Sequence, residues 1–176
     1  LATKAMLRSG VGLATVAVPE CGTEIVQTTV PEAISQEMNH ELELASFQAA
    51  GIGPGLGISK KAEEMLLHVL ENSGSPVVLD ADALNIIAAE KKSWQLIPKD
   101  SIITPHLKEF ERLAGTTNNW LERHRLQLTM SRTHGIYIVL KGAATCITTP
   151  DGLSFFNATG NPGMAKGGSG DVLTGI

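Results

Sequence analysis

Aromatic residues are scarce in this sequence, at 4%, and cysteine occurs only twice, as Cys21 and Cys146. The two cysteines lie far apart and outside any CxxC or Cys/His cluster, so neither a disulfide framework nor a zinc site is indicated. Two buried free thiols in a reducing, cytoplasmic setting are expected instead. No apolar run reaches the roughly 18 residues of a membrane span, and no signal-peptide pattern occurs, so no membrane partner is expected. A dominant charge is also missing: 14 Lys+Arg stand against 18 Asp+Glu, a net charge of −4. Without a basic run, a nucleic acid is not an expected partner. Any anionic ligand has to be held locally, by backbone amides and one or two cations. The sequence also lacks internal repeats, low-complexity segments and linkers.

What remains suits a single α/β domain. The 176 residues are 43% hydrophobic and 18% charged, which excludes disorder, and 18 glycines imply tight turns and close backbone approaches. Residues 2–9 read as the last turns of a helix closed by Gly10, and the chain stops at Ile176, just after an acidic position that should open a helix. A piece cut from a longer protein is therefore expected.

Short β-branched runs alternate with helical stretches. Strands are expected at 12–18, which should be buried and end at Pro19, and at 49–53, 76–79, 101–104, 136–140, 145–149 and 154–157. Helices are expected at 21–28, 39–48, 59–72, 81–91, 107–114 and 119–133, with Gly74 closing the third and His134-Gly135 the last. Ala62, Met65, Leu66, Val69 and Leu70 mark an apolar face at helical spacing. Met6, Met65 and Met130 read as core, and His40, His68, His124 and His134 as surface or packing residues. The alternation implies a doubly wound, mostly parallel sheet flanked by helices, with an antiparallel hairpin after Leu140 and a turn at Pro150-Asp151-Gly152. Ligands of such sheets sit beyond the carboxyl ends of the strands.

The strongest local signal lies there, in Gly160-Asn161-Pro162-Gly163-Met164-Ala165-Lys166-Gly167-Gly168-Ser169-Gly170-Asp171, which leads into an apolar helical start. Glycines can turn successive N–H groups toward one point, and a following helix adds its positive end, which makes an anion hole. The segment is not a P-loop. A carboxylate beside a phosphate site is repulsive unless it accepts a proton from a reacting hydroxyl, which is the functional reading of Asp171. The alternative is an acid that only favours the helix dipole.

The other strand ends are more ambiguous. Gly53-Pro54-Gly55-Leu56-Gly57 is either a tight turn or a close ligand approach. Lys141-Gly142 could reach a phosphate or be a solvated turn lysine. Asp80 and Asp82 could hold Mg²⁺, but capping the next helix is the more economical account. His106 sits in a strand-end turn aimed at the crevice, or serves that turn locally.

Together, Val78-Leu79-Asp80-Ala81-Asp82-Ala83-Leu84-Asn85, Thr104-Pro105-His106-Leu107-Lys108-Glu109-Phe110, Val139-Leu140-Lys141-Gly142 and the segment from Asn161 to Leu173 resemble the ADP/ATP-dependent NAD(P)H-hydrate dehydratases of the ribokinase-like superfamily. The resemblance runs in order along essentially the whole chain, and it implies an N-terminal strand and C-terminal helices outside residues 1–176. It implies a repair lyase that transfers a phosphoryl group from ADP or ATP to the hydroxyl of hydrated NADH or NADPH and then eliminates phosphate. It implies that Asp171 deprotonates or orients that hydroxyl while Gly167, Gly168, Ser169 and Gly170 stabilise the phosphoryl group. Lys141, Gly142, Ala143, Ala144, Thr145 and Gly170 would line the nucleotide, and Gly55, Gly57, His106, Asn161 and Asp171 the hydrated dinucleotide. Mg²⁺ is implied without a nameable protein ligand, as are a homo-oligomer, a tetramer in the family, and a companion epimerase. Two other readings stay open: a small-alcohol kinase of the hydroxyethylthiazole or pyridoxal type, and a nucleotide-binding module without activity.

Overall fold

The computed structural model describes residues 1–39 and 42–176. The chain runs α1 (Ala2–Arg8), β1 (Thr15–Val18), α2 (Glu20–Thr29), β2 (Ile34–Glu37), β3 (Ala50–Ile52), α3 (Lys60–Asn72), β4 (Val77–Leu79), α4 (Ala81–Ala89), β5 (Ile102–Ile103), α5 (Leu107–Ala114), α6 (Trp120–His134), β6 (Tyr137–Leu140), β7 (Thr145–Thr148), β8 (Ser154–Asn157) and α7 (Ser169–Thr174). Strands β3 to β8 form one sheet in chain order. The pairs from β3 to β6 are parallel, and β7 and β8 add on antiparallel. This is the expected α/β architecture, a mostly parallel sheet flanked by helices.

The helices follow their sequence signals closely. In α3 the side chain of Ser59 accepts a hydrogen bond from the Ala62 amide, and the buried residues are Ala62, Met65, Leu66, Val69 and Leu70. Asn119 caps α6 in the same way, accepting from the Glu122 amide, and Gly135 closes that helix in the left-handed conformation at φ 67°. Leu66, Leu79, Ile87, Ile103, Phe110, Ile136 and Ile138 are fully buried between the helices and the sheet. The core is therefore largely aliphatic, as the shortage of aromatics requires.

Several expectations need correction. β1 and β2 pair with each other in a separate two-stranded parallel sheet, so the strands do not form one continuous sheet among the described residues. β1 starts only at Thr15 and is half-buried rather than buried. β2 lacks a β-branched run and is mostly exposed, which left it without a sequence signal. Of the helix expected over 39–48, His40 and Glu41 lie outside the described residues, and the remainder holds one 3-10 turn, Leu44–Ser46. α3 ends at Ser73 in extended backbone, without a left-handed Gly74. α4 stops at Ala89, and a 3-10 stretch, Lys91–Leu96, replaces its expected last turn. Cys146 is buried and unpaired as expected, but Cys21 is exposed, because the first turn of α2 faces solvent. Met65 and Met130 are core, whereas Met6 is half-buried. Among the described residues no helix is long and apolar enough to cross a membrane.

One buried polar side chain joins α6 to the sheet. The Gln127 amide nitrogen donates to the carbonyls of Ile138 and Cys146, both at 3.0 Å, so it spans β6 and β7. Replacing it with leucine leaves both carbonyls with one donor fewer. Gln127→Leu is expected to cost about 1–3 kcal/mol in urea denaturation. At the end of α6, His134 stacks on Trp94 with ring centroids 4.4 Å apart. Burial pushes its pKa below the ordinary 6.5. The unfolded chain then takes up a proton that the folded ring resists, so stability is full above about pH 6.5 and falls as the pH drops toward the folded-state value. Thermal melts across this range should show that slope flattened in His134→Gln.

Candidate active site at the strand ends

The parallel run from β3 to β6 delivers the residues after four strands to one edge of the sheet. After β4, Asp80 takes the N-cap position of α4 in extended backbone, at φ −140° and ψ 170°, but its side chain bonds no helix amide. The Ala83 amide donates instead to the Asp80 main-chain carbonyl, at 3.2 Å. The capping account of the Asp80 carboxylate is therefore corrected. One of its oxygens accepts from Lys141 Nζ at 2.7 Å, and the other accepts from the Thr174 hydroxyl at 3.2 Å. A full positive charge is a stronger partner than a helix amide for a carboxylate that is only 2% exposed.

Lys141 reaches this point because β6 pairs with β5 and β5 with β4. Its own amide donates to the Pro105 carbonyl at 2.8 Å, which locks the end of β6 to the Thr104-Pro105-His106 turn. α7 arrives from the far end of the chain, and its Thr174 hydroxyl lies within hydrogen-bond reach of the Gly170 carbonyl as well as of Asp80. A Cβ at Gly170 would stand 3.3 Å from Asp80 Oδ2 and 3.4 Å from Lys141 Nζ. Asp80, Lys141, Gly170 and Thr174 thus form one polar cluster.

The glycine loop after β3 closes the next side. Gly53 has φ +128°, and a Cβ there would fall 1.8 Å from the Asp80 carbonyl oxygen. Gly55 and Gly57 also take positive φ, at 70° and 76°. The Gly57 amide donates to Asp82 Oδ2 at 2.8 Å, so Asp82, like Asp80, spends its carboxylate outside the helix it opens. Residues 53–57 are thus a tight turn held against the start of α4.

The remaining predicted residues are placed as follows. His106 caps α5: its Nδ1 accepts from the Glu109 amide at 3.2 Å, while Glu109 Oε2 accepts from the His106 amide at 2.8 Å. The ring is half exposed, and its Nε2 lies 3.4 Å from Glu109 Oε1, so the local turn role is real. Gly142, Ala143 and Ala144 present exposed backbone, and Thr145 Oγ1 donates to the Gly142 carbonyl at 3.2 Å. Gly160 packs on this turn, since its Cβ would lie 2.8 Å from the Ala143 carbonyl. Asn161 spends its side-chain oxygen on the Gly163 amide, at 2.8 Å. Gly167 is exposed, Gly168 is left-handed at φ 87° ahead of α7, and the Ser169 hydroxyl donates to the Met164 carbonyl at 2.8 Å. Asp171 is half-buried in the first turn of α7.

The structure joins Asp80 to Lys141 across 61 residues and to Thr174 across 94, which the sequence did not reveal. The first two carried strand-end signals separately, and Thr174 carried none. Among the described residues no three His, Cys, Asp or Glu side chains gather as a metal site, and Asp80 is already engaged by Lys141. The residues therefore do not fit a protein-held Mg²⁺ cage. A shallow cleft of about 350 Å³, lined by Ile58, Glu63, Asn85, Ile86, Ala89 and Glu90, does not include the polar cluster.

A family model described as NAD(P)H-hydrate dehydratase matches residues 1–176. The bifunctional NAD(P)H-hydrate repair enzyme of Moorella thermoacetica is 38% identical over 100% of this chain, which spans 36% of that protein. The ADP-dependent (S)-NAD(P)H-hydrate dehydratase of Bacillus subtilis is 34% identical over 100% of this chain and 64% of its own length. A crystal structure of ADP/ATP-dependent NAD(P)H-hydrate dehydratase from Bacillus subtilis, co-crystallised with ATP/Mg²⁺ and soaked with CoA, aligns at a TM-score of 0.82 and 34% identity, covering 99% of this chain and 65% of that one. The chain thus spans less than two thirds of each of these relatives.

Two substitutions separate the glycine roles in the loop after β3. Gly53→Ala meets backbone at 1.8 Å and should destabilise by at least about 2 kcal/mol, because the Asp80 turn has to move. Gly55→Ala meets open space and should cost about 1 kcal/mol, from its positive φ alone. Thermal melts of the two variants check this order.

Proposed function

This chain belongs to the NAD(P)H-hydrate dehydratase family, and we propose that its strand-end site dehydrates hydrated NADH or NADPH with ADP or ATP as phosphoryl donor. The observation that carries this reading is the seating of the Gly167–Asp171 segment beside Lys141: Gly170 backbone, Lys141 ammonium and Asp80 carboxylate meet at one point. A phosphoryl-transfer site needs an amide-lined turn and a cation converging from different elements, and a glycine turn beside a lysine supports that reading.

In the proposed mechanism Lys141 and the exposed backbone of Gly142, Ala143 and Ala144, with Thr145, hold the nucleotide phosphates and ribose. Gly167, Gly168, Ser169 and Gly170 direct amides at the transferring group. Asp171 accepts the proton of the substrate hydroxyl, whose oxygen bonds the terminal phosphorus as the bridging bond to the rest of the nucleotide breaks. Hydroxide, a poor leaving group, has become phosphate. The ring-nitrogen lone pair expels it with cleavage of the carbon–oxygen bond, and loss of a neighbouring ring proton restores the reduced nicotinamide. Gly55, Gly57, His106 and Asn161 would border the dinucleotide, His106 from the capping turn that shares a backbone bond with Lys141. The donor set forms no metal cage, so no residue is assigned to Mg²⁺. The ATP/Mg²⁺ in the Bacillus subtilis crystals supports a metal that arrives with the nucleotide.

The proposal extends to residues 1–176 acting as a single domain, to a homo-oligomeric assembly and to a cytoplasmic setting, which the unpaired thiols suit. Relatives named as bifunctional repair enzymes support a companion activity, the epimerase. A small-alcohol kinase is the weaker alternative, since the relatives carry dehydratase and repair names and such a kinase has no use for Thr104-Pro105-His106 or for Asn161 to Met164.

Full-length protein incubated with hydrated NADPH and ADP should restore the near-ultraviolet absorbance of the reduced nicotinamide. No recovery alongside phosphorylation of an added alcohol would favour the kinase, and nucleotide binding with neither would leave an inactive module. Asp171→Asn should keep ADP affinity within about twofold and lower turnover by roughly 10²- to 10⁴-fold. Near-normal turnover would remove Asp171 as the base. Gly168→Val, barred from φ 87° by its branched Cβ, should weaken ADP binding measured by titration calorimetry.

A further inference from the structure

Two adjacent carboxylates are left without a role in that mechanism. Asp80 and Asp82 flank Ala81, a residue with a Cβ held at φ +49°. Left-handed backbone at a non-glycine residue costs of order 1 kcal/mol and persists only where surrounding contacts impose it. The contacts here are specific. With Ala81 turned this way, the Asp80 carbonyl takes the Ala83 amide and the Asp80 carboxylate is free to leave the helix. It goes to Lys141 at 2.7 Å and to Thr174 at 3.2 Å. Two residues on, Asp82 goes to the Gly57 amide at 2.8 Å.

We propose that Asp80 and Asp82 are positioning residues that set the two halves of the site from one strained turn. Asp80 fixes the nucleotide half, by holding the Lys141 ammonium and the first turn of α7 in register. Asp82 fixes the substrate half, by pinning the loop of residues 53–57 through Gly57. This rests on the assignment of Lys141 to the nucleotide and of Gly55 and Gly57 to the hydrated dinucleotide. A lysine held by a buried carboxylate loses freedom to swing to solvent, so its ammonium group stays at the site with its remaining N–H groups available there. A glycine loop has little else to hold it, and the Asp82 bond replaces the side-chain packing that it lacks.

The two roles predict opposite effects on two binding constants, measured in the full-length protein. Asp80→Asn should raise the Kd for ADP about tenfold and leave the KM for hydrated NADPH within about twofold. Asp82→Ala should do the reverse, and Asp82→Asn should recover most of the loss, since its amide oxygen still accepts from Gly57. In a double-mutant cycle, Asp80→Asn should add no further loss of ADP affinity to Lys141→Met. Amide hydrogen exchange at residues 53–57 should quicken in Asp82→Ala and stay unchanged in Asp80→Asn.

Equal rises of both constants in either variant, or additive losses in the cycle, would overturn the proposal in favour of a merely structural turn. Unchanged exchange at 53–57 in Asp82→Ala would overturn the substrate half directly. Faster exchange there with an unchanged KM would refute instead the assignment of that loop to the substrate. Unaltered ADP affinity in Lys141→Met would refute the assignment of Lys141 to the nucleotide.

Discussion

The ion pair between the buried Asp80 carboxylate and the partly exposed Lys141 is the constraint around which the strand-end edge is organised. A carboxylate that is 2% exposed needs polar partners, and these come from the end of β6 and from α7. Removing Lys141 would leave the Asp80 carboxylate buried without its counter-charge, so the contact is unforgiving in that direction even where its net contribution to stability is small. Its consequence is geometric. The ends of β4 and β6 cannot slide along the sheet independently, and α7 cannot turn about its axis without losing the Thr174 bond. The glycine-rich segment is thereby anchored at its helical end, while the residues before it remain exposed.

Backbone contacts reinforce this wherever a side chain would not fit. A Cβ at Gly175 would fall 2.1 Å from the Ala2 carbonyl, which sets α7 directly on α1. Thr174 covers Gly51, whose Cβ would meet its methyl and carbonyl at 3.3 Å. Gly53 fits under the Asp80 carbonyl in a conformation that L side chains rarely adopt. The abundance of glycine and the scarcity of aromatics are thus two sides of one design. Elements approach backbone to backbone around the site, and the aliphatic core lies behind it, among α3, α4, α5 and the sheet.

Most of the scaffold was legible in the sequence, because its signals are local. Ser59 and Asn119 announced helix starts, the apolar spacing from Ala62 to Leu70 gave the buried face of α3, and Pro150-Asp151-Gly152 marked the hairpin. β2 was not legible, since its pairing with β1 depends on a neighbour rather than on its own pattern, and neither was the break between the two sheets. The candidate site was legible as a set of strand ends but not as a set of bonds. Asp80 and Asp82 have the composition of helix caps, and local propensity favours that reading. Only the strand order, which brings Lys141 level with Asp80 from 61 residues away, shows the carboxylate drawn elsewhere. For His106 the sequence left a ligand role and a local turn role open, and the turn role is the one its bonds show.

Charge accounting bears on how the proposed anion site would work. Lys141 is a cation at that site, yet Asp80 already balances its charge at 2.7 Å, and the chain as a whole is negative. The pair therefore brings little net positive charge to an incoming phosphate. What it would bring is direction: an ammonium group held beside Gly170, at the start of α7. Attraction then depends on short-range dipoles and hydrogen bonds, whose strength falls steeply with distance and angle, rather than on a long-range field. Such a site discriminates by geometry. It holds a phosphoryl group well only when that group is placed against both the lysine and the glycine turn, which a transfer reaction requires and nonspecific anion binding does not.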